Sequence, residues 1–322
     1  MKNLNNTVLV AIKCLVYNHE PYLRDCLQGF VMQKTDFPIV VIVHDDASTD
    51  NSAAIIREYA EKYPDIIRPI YEIENQYSKG DGSLGRVMNK AVDAIGAKYI
   101  AYCEGDDYWT DPLKLQKQVD FLEANPEYDM VCARFNHLVH ETGEIQPYDL
   151  YDKIIPPYLE GIEIKQEHFV SFAQPHTCTI MYRKGTLHDH PIITKLKYKF
   201  DIPVTYCFLY LHRVWLMNEK MAVYRKHKGS LTDSGETENW SLVASHKELL
   251  SHFPSDLNLQ QLVQYDEKNN LIRSSLKNDF NWFYFFKELN IYTNTYSPNF
   301  NQTLYIIKRV LKNRIKKYMK KP

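Results

Sequence analysis

Residues 39–50 read IVVIVHDDASTD, a short apolar run that passes directly into an acidic segment. An uninterrupted apolar run of this length is typical of a strand buried on both faces of a parallel sheet. In residues 98–109, KYIAYCEGDDYW, a strand-like run is likewise followed by acidic residues, Glu104, Asp106 and Asp107. Because ligands of open α/β sheets bind outside the carboxyl ends of the strands, these acidic residues are candidate site residues.

The remainder of the first half alternates between strand and helix patterns. Residues 8–12 form another apolar run, and a helical pattern of apolar residues follows each predicted strand. Strands separated by helices of about 10–14 residues indicate βαβ units. We therefore predict an α/β fold with a mostly parallel, Rossmann-like sheet flanked by helices.

Beyond residue 128 the pattern changes. It predicts strands at residues 129–140, 177–182 and 221–225, a helix at residues 202–213, and a largely helical region from residue 236 onward. We predict one α/β domain over residues 1–235, with halves at 1–128 and 129–235, and a C-terminal helical extension over residues 236–322.

The composition is that of an ordinary globular protein. Of 322 residues, 44% are hydrophobic and 25% are charged, which excludes intrinsic disorder and low-complexity architecture. No apolar run approaches the roughly 18 residues of a membrane-spanning helix. Six cysteines are scattered without a CxxC pair, so neither a zinc knuckle nor a disulfide framework is indicated. We expect a cytoplasmic protein.

The net charge of −1 hides an asymmetry along the chain. Residues 301–322 carry eight basic side chains and no acidic one, so residues 1–300 have a net charge of −9. A nucleic-acid-binding protein is usually basic over its main surface. We therefore expect no nucleic-acid partner.

The basic tail, residues 303–322, has two interpretations. Ile307, Leu311 and Ile315 recur at helical spacing, with Tyr318 or Met319 next in the series, opposite the lysines and arginines. Such a basic amphipathic helix suits an anionic membrane surface, which would place the protein at the inner face of the plasma membrane. Alternatively, the tail is a solvated helix whose apolar stripe packs on the protein.

Carboxylates at adjacent strand ends repel each other, and a divalent cation would compensate them. Mg²⁺ and Mn²⁺ prefer oxygen ligands and commonly take one or two carboxylates while leaving positions for substrate phosphates. Two other interpretations stay open: residues 45–50 cap a helix, and residues 104–107 form a solvated turn. The chain has no GxxxxGK[ST] loop, which disfavours P-loop chemistry.

The ordered motifs resemble the nucleotide-binding half of family-2 glycosyltransferases of the GT-A fold. They are the strand ending in Tyr17-Asn18, the DDASTD segment at residues 45–50, and EGDDYW at residues 104–109 in the place of the family's DXD motif. Asn89 with Ala91 resembles the family's Asn-bearing helix. The resemblance covers residues 7 to about 235.

The resemblance implies roles for individual residues in the first half. Tyr17 would lie against the nucleobase, Asp46 would accept a hydrogen bond from the base, and Asp45 would support it. Asp106 would sit near the ribose and sugar, and Asp107 would coordinate Mn²⁺ or Mg²⁺ bridging the diphosphate. The nucleotide-binding residues implied in this way are Tyr17, Asp45, Asp46, Asn89 and Asp106.

The second half would supply the acceptor site and the base. The order His176-Thr177, Arg183, Asp201 resembles that of relatives in which an Asp begins a helix, so Asp201 is the candidate catalytic base. The alternative is that Asp201 only caps this helix. Arg225 is a candidate for neutralising the diphosphate, and His227 for completing the metal shell; the alternative for His227 is a surface residue.

The resemblance implies an inverting glycosyltransferase that moves sugar from a UDP-sugar to a hydroxyl of a glycan or lipid-linked acceptor, in surface polysaccharide biosynthesis. Two alternatives remain. One is a sugar nucleotidyltransferase, although residues 14–22 lack the Gly and Lys of its usual loop. The other is a non-catalytic carbohydrate-binding protein on the same fold.

Overall fold

A computed structural model describes residues 8–170, 175–186, 191–197, 201–228, 230, 237–275 and 280–319. The chain divides into two compact units. The first unit comprises Met1–Lys195 and Val204–Asp233, and the second comprises Leu196–Pro203 and Ser234–Pro322.

Among the described residues, ten strands of the first unit form one sheet. In chain order they are β1 (Val10–Val16), β2 (Ile39–Asp45), β3 (Ile67–Tyr71), β4 (Tyr99–Tyr102), β5 (Tyr108–Trp109), β6 (Met130–Val139), β7 (Glu144–Pro147), β8 (Gly161–Ile164), β9 (Met181–Arg183) and β10 (Val214–Lys226). The order across the sheet is β3-β2-β1-β4-β9-β6-β10-β5, with β7 beside β6 and β8 beside β10.

The helices of the first half alternate with its strands, as predicted. The described α-helices are α1 (Leu23–Val31), α2 (Ser52–Lys62), α3 (Ser83–Ile95), α4 (Lys114–Ala124), α5 (Gln166–Val170), α6 (Pro191–Lys195), α7 (Asp201–Leu211), α8 (Thr237–His252), α9 (Leu257–Ser274), α10 (Trp282–Tyr296) and α11 (Phe300–Met319). Leu23, Leu27 and Phe30 of α1 are fully buried, which is the stripe expected of a helix packed on a sheet.

The strands of the first half are parallel. β2 pairs with β3 and β1, and β1 pairs with β4, all in parallel register. Every residue of β2 is buried, as its continuous apolar run predicts. Because Val16 lies opposite Asp45 and Lys13 lies opposite Tyr102, the carboxyl ends of β1, β2 and β4 meet at one edge of the sheet. The predicted α/β fold is confirmed.

The second half of the sheet is mixed. β9 pairs antiparallel with both β4 and β6, and β10 runs parallel to β6 but antiparallel to β5 and β8. The predicted strand at residues 177–182 begins instead as a 3₁₀ turn, Thr177–Thr179, and becomes a strand only at Met181. The predicted strand at residues 221–225 is the end of the longer β10, which is irregular near Lys220.

The second unit contains α8 to α11. α9, α10 and α11 share a buried cluster made of Leu271, Phe285, Leu289, Tyr292, Ile306 and Val310. The tail helix therefore packs through Ile306 and Val310. The predicted stripe lies on the adjacent face, with Ile307 partly buried against the cluster and Leu311 and Ile315 exposed.

None of the described helices is both long enough and apolar enough to span a bilayer.

Candidate active site

Short backbone hydrogen bonds hold three loops together where β1, β2 and β4 end. The N–H of Asp46 donates to the carbonyl of Val16 over 2.9 Å, and the N–H of Gly105 donates to the carbonyl of Leu15 over 2.9 Å. A Cβ added at Gly105 would lie 2.8 Å from Nδ1 of His19, so only glycine lets the two loops approach so closely. The predicted acidic segments therefore meet at one site.

Tyr17 projects from this edge and is 47% exposed. The next residue, Asn18, has a φ of +56° and bridges to the loop after β2. Its N–H donates to Oγ of Ser48 over 2.9 Å, and its Oδ1 accepts from the N–H of Thr49 over 2.8 Å. The loop is thus held from both sides, which presents the Tyr17 ring at the end of β1.

Asp45 and Asp46 are both buried and both organise neighbouring loops. Oδ1 of Asp45 accepts from the N–H of Ser48 over 3.1 Å. The two oxygens of Asp46 accept from the N–H groups of Gln76 and Tyr77, over 2.6 and 3.0 Å. Asp46 therefore anchors the loop after β3, in addition to its predicted role toward a nucleobase.

Within residues 45–50, Asp50 contacts the start of α2, whose N-cap residue is Asn51 and which has no side-chain capping bond. Oδ1 of Asp50 accepts from the N–H of Ser52 at the start of α2, over 2.9 Å, while Oδ2 accepts from the N–H of Glu20, also over 2.9 Å. One end of the acidic segment thus holds a helix, whereas Asp45 and Asp46 hold loops at the edge of the sheet.

Asn89, on α3, contacts a buried lysine of β1. Nζ of Lys13 donates to Oδ1 of Asn89 over 2.8 Å and to the hydroxyl of Tyr102 over 3.1 Å. Burial lowers the pKa of Lys13 to about 8. The predicted part of Asn89 in nucleotide binding stays a prediction; the contact described for it supports the strand beneath.

The most informative contact of the site joins Asp106 to His227. Nε2 of His227 lies 3.1 Å from Oδ2 of Asp106, and Nδ1 lies 3.1 Å from the carbonyl oxygen of Lys228. A carbonyl oxygen only accepts, so Nδ1 carries a hydrogen. Nε2 then faces a carboxylate oxygen and needs a proton or a cation between the two atoms.

Without a cation, this pair holds a proton. The hydrogen bond to Asp106 raises the pKa of His227 above its ordinary value, against the effect of burial. Burial opposes ionisation of Asp106, but the hydrogen bond from His227 and the nearby His19 outweigh burial and lower its pKa. Both pKa shifts favour a carboxylate beside a protonated imidazole, and a metal ion could take the place of that proton.

His19 completes this group, and the sequence analysis missed it. Its Nε2 lies 3.9 Å from Oδ2 of Asp106, and its Nδ1 is buried without a hydrogen-bond partner among the described residues. Burial lowers the pKa of His19, which favours the neutral imidazole that a metal ion binds. The signal in the sequence is its position directly after Tyr17-Asn18.

Asp107 points to the interior of the sheet. It is 1% exposed, and its Oδ1 accepts from the N–H of Arg225 over 2.8 Å. Burial, together with the charges of Asp106 and Glu104, raises the pKa of Asp107 well above its ordinary value. His227 contacts Asp106 over 3.1 Å, whereas the sequence analysis placed His227 with Asp107 as a metal ligand.

Asp107 also lies in a second group of possible metal ligands. One carboxylate oxygen of Asp107, one nitrogen of His176 and the sulfur of Cys178 lie within 4.8 Å of one another. Burial lowers the pKa of His176 to about 3. A thiol and an imidazole suit softer ions such as Zn²⁺, whereas Mn²⁺ and Mg²⁺ favour oxygen donors. The predicted coordination by Asp107 stays a prediction.

The predicted diphosphate residue, Arg225, is buried and already engaged. Its Nη2 lies 2.7 Å from a carboxylate oxygen of Asp25, and its Nε donates to the carbonyl of Asp106 over 2.8 Å. The guanidinium also lies over the rings of Tyr22 and Tyr108. Arg225 thus positions the loop of Asp106 and Asp107, while its contact with a diphosphate stays a prediction.

Asp201 is the first residue of α7. Its side chain lies outside the described part of the structure. Its predicted role as the base therefore stays a prediction.

A buried network supports the 3₁₀ turn below the site. Nζ of Lys114 donates to Oε1 of Gln118 over 2.7 Å, and Nε2 of Gln118 donates to the carbonyl of Thr179 over 2.8 Å. The indole of Trp109 donates to the carbonyl of Cys178 over 2.7 Å. These bonds hold the turn that carries Thr177, whose hydroxyl donates to Glu104 over 3.2 Å.

Lys114 should make stability depend on pH. Burial lowers its pKa from 10.5 to about 7, so above pH 7 the folded protein releases a proton that the unfolded chain keeps until about pH 10.5. Stability should therefore rise with pH in this window. We expect the free energy of unfolding of the wild type, compared with that of Lys114→Met, to increase by up to about 1.4 kcal/mol per pH unit. Urea unfolding of both proteins at pH 7, 8 and 9 measures this difference. Parallel curves for the two proteins would contradict this.

Solved structures share the fold of this chain. The structure of TarS from Staphylococcus aureus, residues 1–349 in complex with UDP-GlcNAc, has a TM-score of 0.62 and 17% identity, over 95% of this chain and 89% of that chain. A mannosyltransferase from Pyrobaculum calidifontis, in complex with GDP-Man and Mn²⁺, has a TM-score of 0.55 and 16% identity, over 95% and 87%. The fold is that of GT-A glycosyltransferases.

The family follows from the sequence comparisons. The model of glycosyl transferase family 2 matches residues 14–189, and the chain belongs to this family. An uncharacterised protein of Mycobacterium tuberculosis is 34% identical over 240 residues, which are 71% of this chain and 62% of the relative. The chain thus matches somewhat less than two thirds of that relative's length.

Proposed function

We propose that the protein transfers a sugar from a UDP-sugar to a hydroxyl group of a glycan or lipid-linked acceptor, with inversion at the anomeric carbon. The observation that carries the proposal is the Asp106–His227 pair at the carboxyl edge of the sheet of a family-2 chain, the edge at which the exposed Tyr17 follows β1. The complex of TarS with UDP-GlcNAc supports a uridine nucleotide as the donor's carrier.

In this proposal the nucleobase stacks on the ring of Tyr17. Asp46, supported by Asp45, accepts a hydrogen bond from the nucleobase. Asp46 keeps acceptor capacity, because an ionised carboxylate has about four lone-pair sites and the two N–H groups of the loop use two of them. The same carboxylate would thus couple the loop after β3 to the bound nucleotide.

Replacing Asp46 by alanine should weaken UDP binding by about 1.5–3 kcal/mol, since a charged hydrogen bond to the base is lost. The free energy of unfolding should fall by about 1–3 kcal/mol, because two backbone N–H groups lose their acceptor. Calorimetric titration with UDP and urea unfolding measure the two effects.

Asp50→Ala is the matched control for this variant. Asp50 also accepts from two backbone N–H groups, so its loss should lower stability while UDP affinity stays near the wild-type value. Unchanged UDP affinity in Asp46→Ala would place the base pocket elsewhere.

We propose that Mn²⁺ or Mg²⁺ binds at Asp106 and His227. The donor set fits because Nδ1 of His227 donates to a backbone carbonyl, as metal-binding histidines usually do with their second nitrogen. His19 offers a further imidazole beside Asp106. When bound, the ion would neutralise charge that develops on the leaving diphosphate.

The protein's own residues would supply the rest of the reaction. Asp201 would accept the proton of the acceptor hydroxyl as that oxygen attacks the anomeric carbon. The bond from that carbon to the diphosphate breaks, and the nucleotide leaves from the opposite face, which inverts the configuration. Arg225 would keep the loop of Asp106 in place through its bonds to Asp106 and Asp25.

Tail residues 303–322 would contact an anionic membrane surface and bring the enzyme to a lipid-linked acceptor of surface polysaccharide synthesis. Lys308, Arg309, Lys312 and Lys316 are exposed on α11. Basic residues near such a surface each contribute on the order of 1 kcal/mol. The exposure of Leu311 and Ile315 beside these charges supports this contact.

The proposal is tested by incubating the protein with a panel of nucleotide sugars and Mn²⁺, first without and then with candidate acceptors. Release of UDP, with transfer of the sugar to an acceptor, is the expected result. Pyrophosphate exchange between UTP and a sugar phosphate would indicate a nucleotidyltransferase. Glycan binding without any release would indicate a carbohydrate-binding protein.

A further inference from the structure

The start of α10 carries an exposed group of aromatic side chains. Trp282, Phe283, Tyr284 and Phe286 are 40%, 74%, 63% and 51% exposed, and we call them the aromatic patch. Their neighbour Phe285 is buried in the cluster shared by α9, α10 and α11. The helix therefore already has a buried apolar face, and the patch is additional apolar surface.

The rings of the patch contact one another in two pairs. The rings of Trp282 and Phe286 stack with centroids 5.9 Å apart, and Phe283 and Tyr284 meet edge to face at 5.9 Å. An exposed group of large rings rimmed by polar residues usually marks a surface that contacts a protein or a membrane.

The patch adjoins the basic helix α11. Phe280 lies 5.0 Å from the ring of Trp282, and the guanidinium of Arg314 lies 4.9 Å from the centre of the Phe280 ring. Arg314 also donates to the carbonyl of Ser275 over 3.3 Å, which fixes this part of α11 beside the end of α9. Aromatic rings and basic residues thus occupy neighbouring surface within the second unit.

The positive charge of α11 indicates which kind of surface the patch contacts. The helix is basic over residues 308–317 and contains no acidic residue, and Leu311, Ile315 and Met319 are 43%, 57% and 80% exposed beside the basic side chains. Trp and Tyr are enriched where proteins meet the headgroup region of a bilayer, and Lys and Arg bind anionic headgroups. An anionic bilayer matches both properties.

We propose that the aromatic patch inserts into the headgroup region of an anionic bilayer, with the basic residues of α11 held against the lipid phosphates beside it. In this arrangement α11 supplies attraction that salt weakens, and the patch supplies apolar insertion that salt weakens little. The inference concerns α10, goes beyond the tail contact, and does not depend on the sugar-transfer reaction.

The test uses the full chain with vesicles of phosphatidylcholine alone or with about 30% phosphatidylglycerol, an anionic lipid that gives the surface a negative potential. The wild type should float with the anionic vesicles at low salt. The double variant Phe283→Ser/Phe286→Ser should bind them at least tenfold more weakly, and its remaining binding should vanish as salt rises. Brominated lipids should quench tryptophan fluorescence in the wild type and not in Trp282→Phe.

Two controls separate insertion from other effects. Tyr158, 84% exposed in the first unit, is a matched aromatic side chain, and Tyr158→Ser should bind vesicles like the wild type. The variant Lys308→Gln/Lys312→Gln/Lys316→Gln should lose the preference for phosphatidylglycerol. Thermal melting of each variant shows that the fold is retained.

Several results would overturn the proposal. They are absence of wild-type binding to anionic vesicles at low salt, equal binding by Phe283→Ser/Phe286→Ser, and quenching that persists in Trp282→Phe. A change from dimer to monomer in the patch variant, seen by sedimentation, would instead assign the patch to a second copy of the chain. Because none of these measurements uses a sugar donor, failure of the proposed transfer reaction would be seen separately.

Discussion

Asp106→Asn should lower the rate of sugar transfer by about 10³-fold, since a bound cation supplies several kcal/mol of charge stabilisation in the transition state. Asparagine keeps the size of the side chain but removes the negative charge of Asp106, which in this proposal binds Mn²⁺ and faces His227. Transfer is measured as UDP release with donor and acceptor in excess. Mn²⁺ affinity, measured by the loss of its free electron paramagnetic resonance signal, should fall in parallel.

Asp107→Asn is the matched control, because it changes the adjacent carboxylate in the same way. Asparagine still offers an oxygen to the N–H of Arg225, so the local hydrogen bond survives. If the ion binds at Asp106 and His227, Asp107→Asn should keep Mn²⁺ affinity near the wild-type value. The opposite outcome, loss of Mn²⁺ binding in Asp107→Asn alone, would show that Asp107 binds the metal, as the resemblance implies.

The first half of the fold was predictable because its apolar residues follow regular periods. The continuous apolar runs of β1 and β2 can only be buried on both faces, and α1 shows the stripe of a helix packed on a sheet. Parallel strands place their carboxyl ends at one edge. The meeting of the DDASTD and EGDD segments therefore followed from local patterns alone.

The 3₁₀ turn at Thr177–Thr179 was not predictable from the same rules. Its Thr and Cys residues favour strands, but both the N–H and the hydroxyl of Thr179 donate to the carbonyl of His176, over 2.9 and 2.8 Å. Such local bonds compete with strand pairing. Polar residues lie at the irregularity near Lys220, where the pairing register shifts. They interrupt the apolar pattern, so the first half of β10 was not predicted.

The partners within the site depend on the path of the sheet. His227 follows β10, which pairs with β5 just after Asp106, so the imidazole meets a carboxylate 121 residues away in sequence. No local pattern shows whether Asp106 or Asp107 faces that histidine. His19 is a lone histidine after a strand in the sequence. Only the structure, in which its Nε2 lies 3.9 Å from Oδ2 of Asp106, makes it a candidate site residue.

Asp201→Asn should lower kcat for transfer by about 10²–10⁴-fold, the usual contribution of a general base, with UDP-sugar binding little changed. At the first residue of a helix, the helix dipole favours the ionised carboxylate that a base requires at neutral pH. Asparagine is also a good helix cap, so the melting temperature should stay near that of the wild type. Stopped assays of product, beside thermal melting, measure both.

Glu163→Gln is the control acid for this experiment. Glu163 lies 2.7 Å from Arg213 and 3.2 Å from the hydroxyl of Tyr128, so its carboxylate is held in an ion pair within the first unit. Its replacement should leave transfer near the wild-type rate. If Asp201→Asn transfers sugar normally, Asp201 only caps α7, and the base must be another acid, with Glu167 and Asp189 the next candidates. A lower rate with unchanged melting temperature and unchanged donor affinity would support Asp201 as the base, since asparagine keeps the cap and removes only the carboxylate.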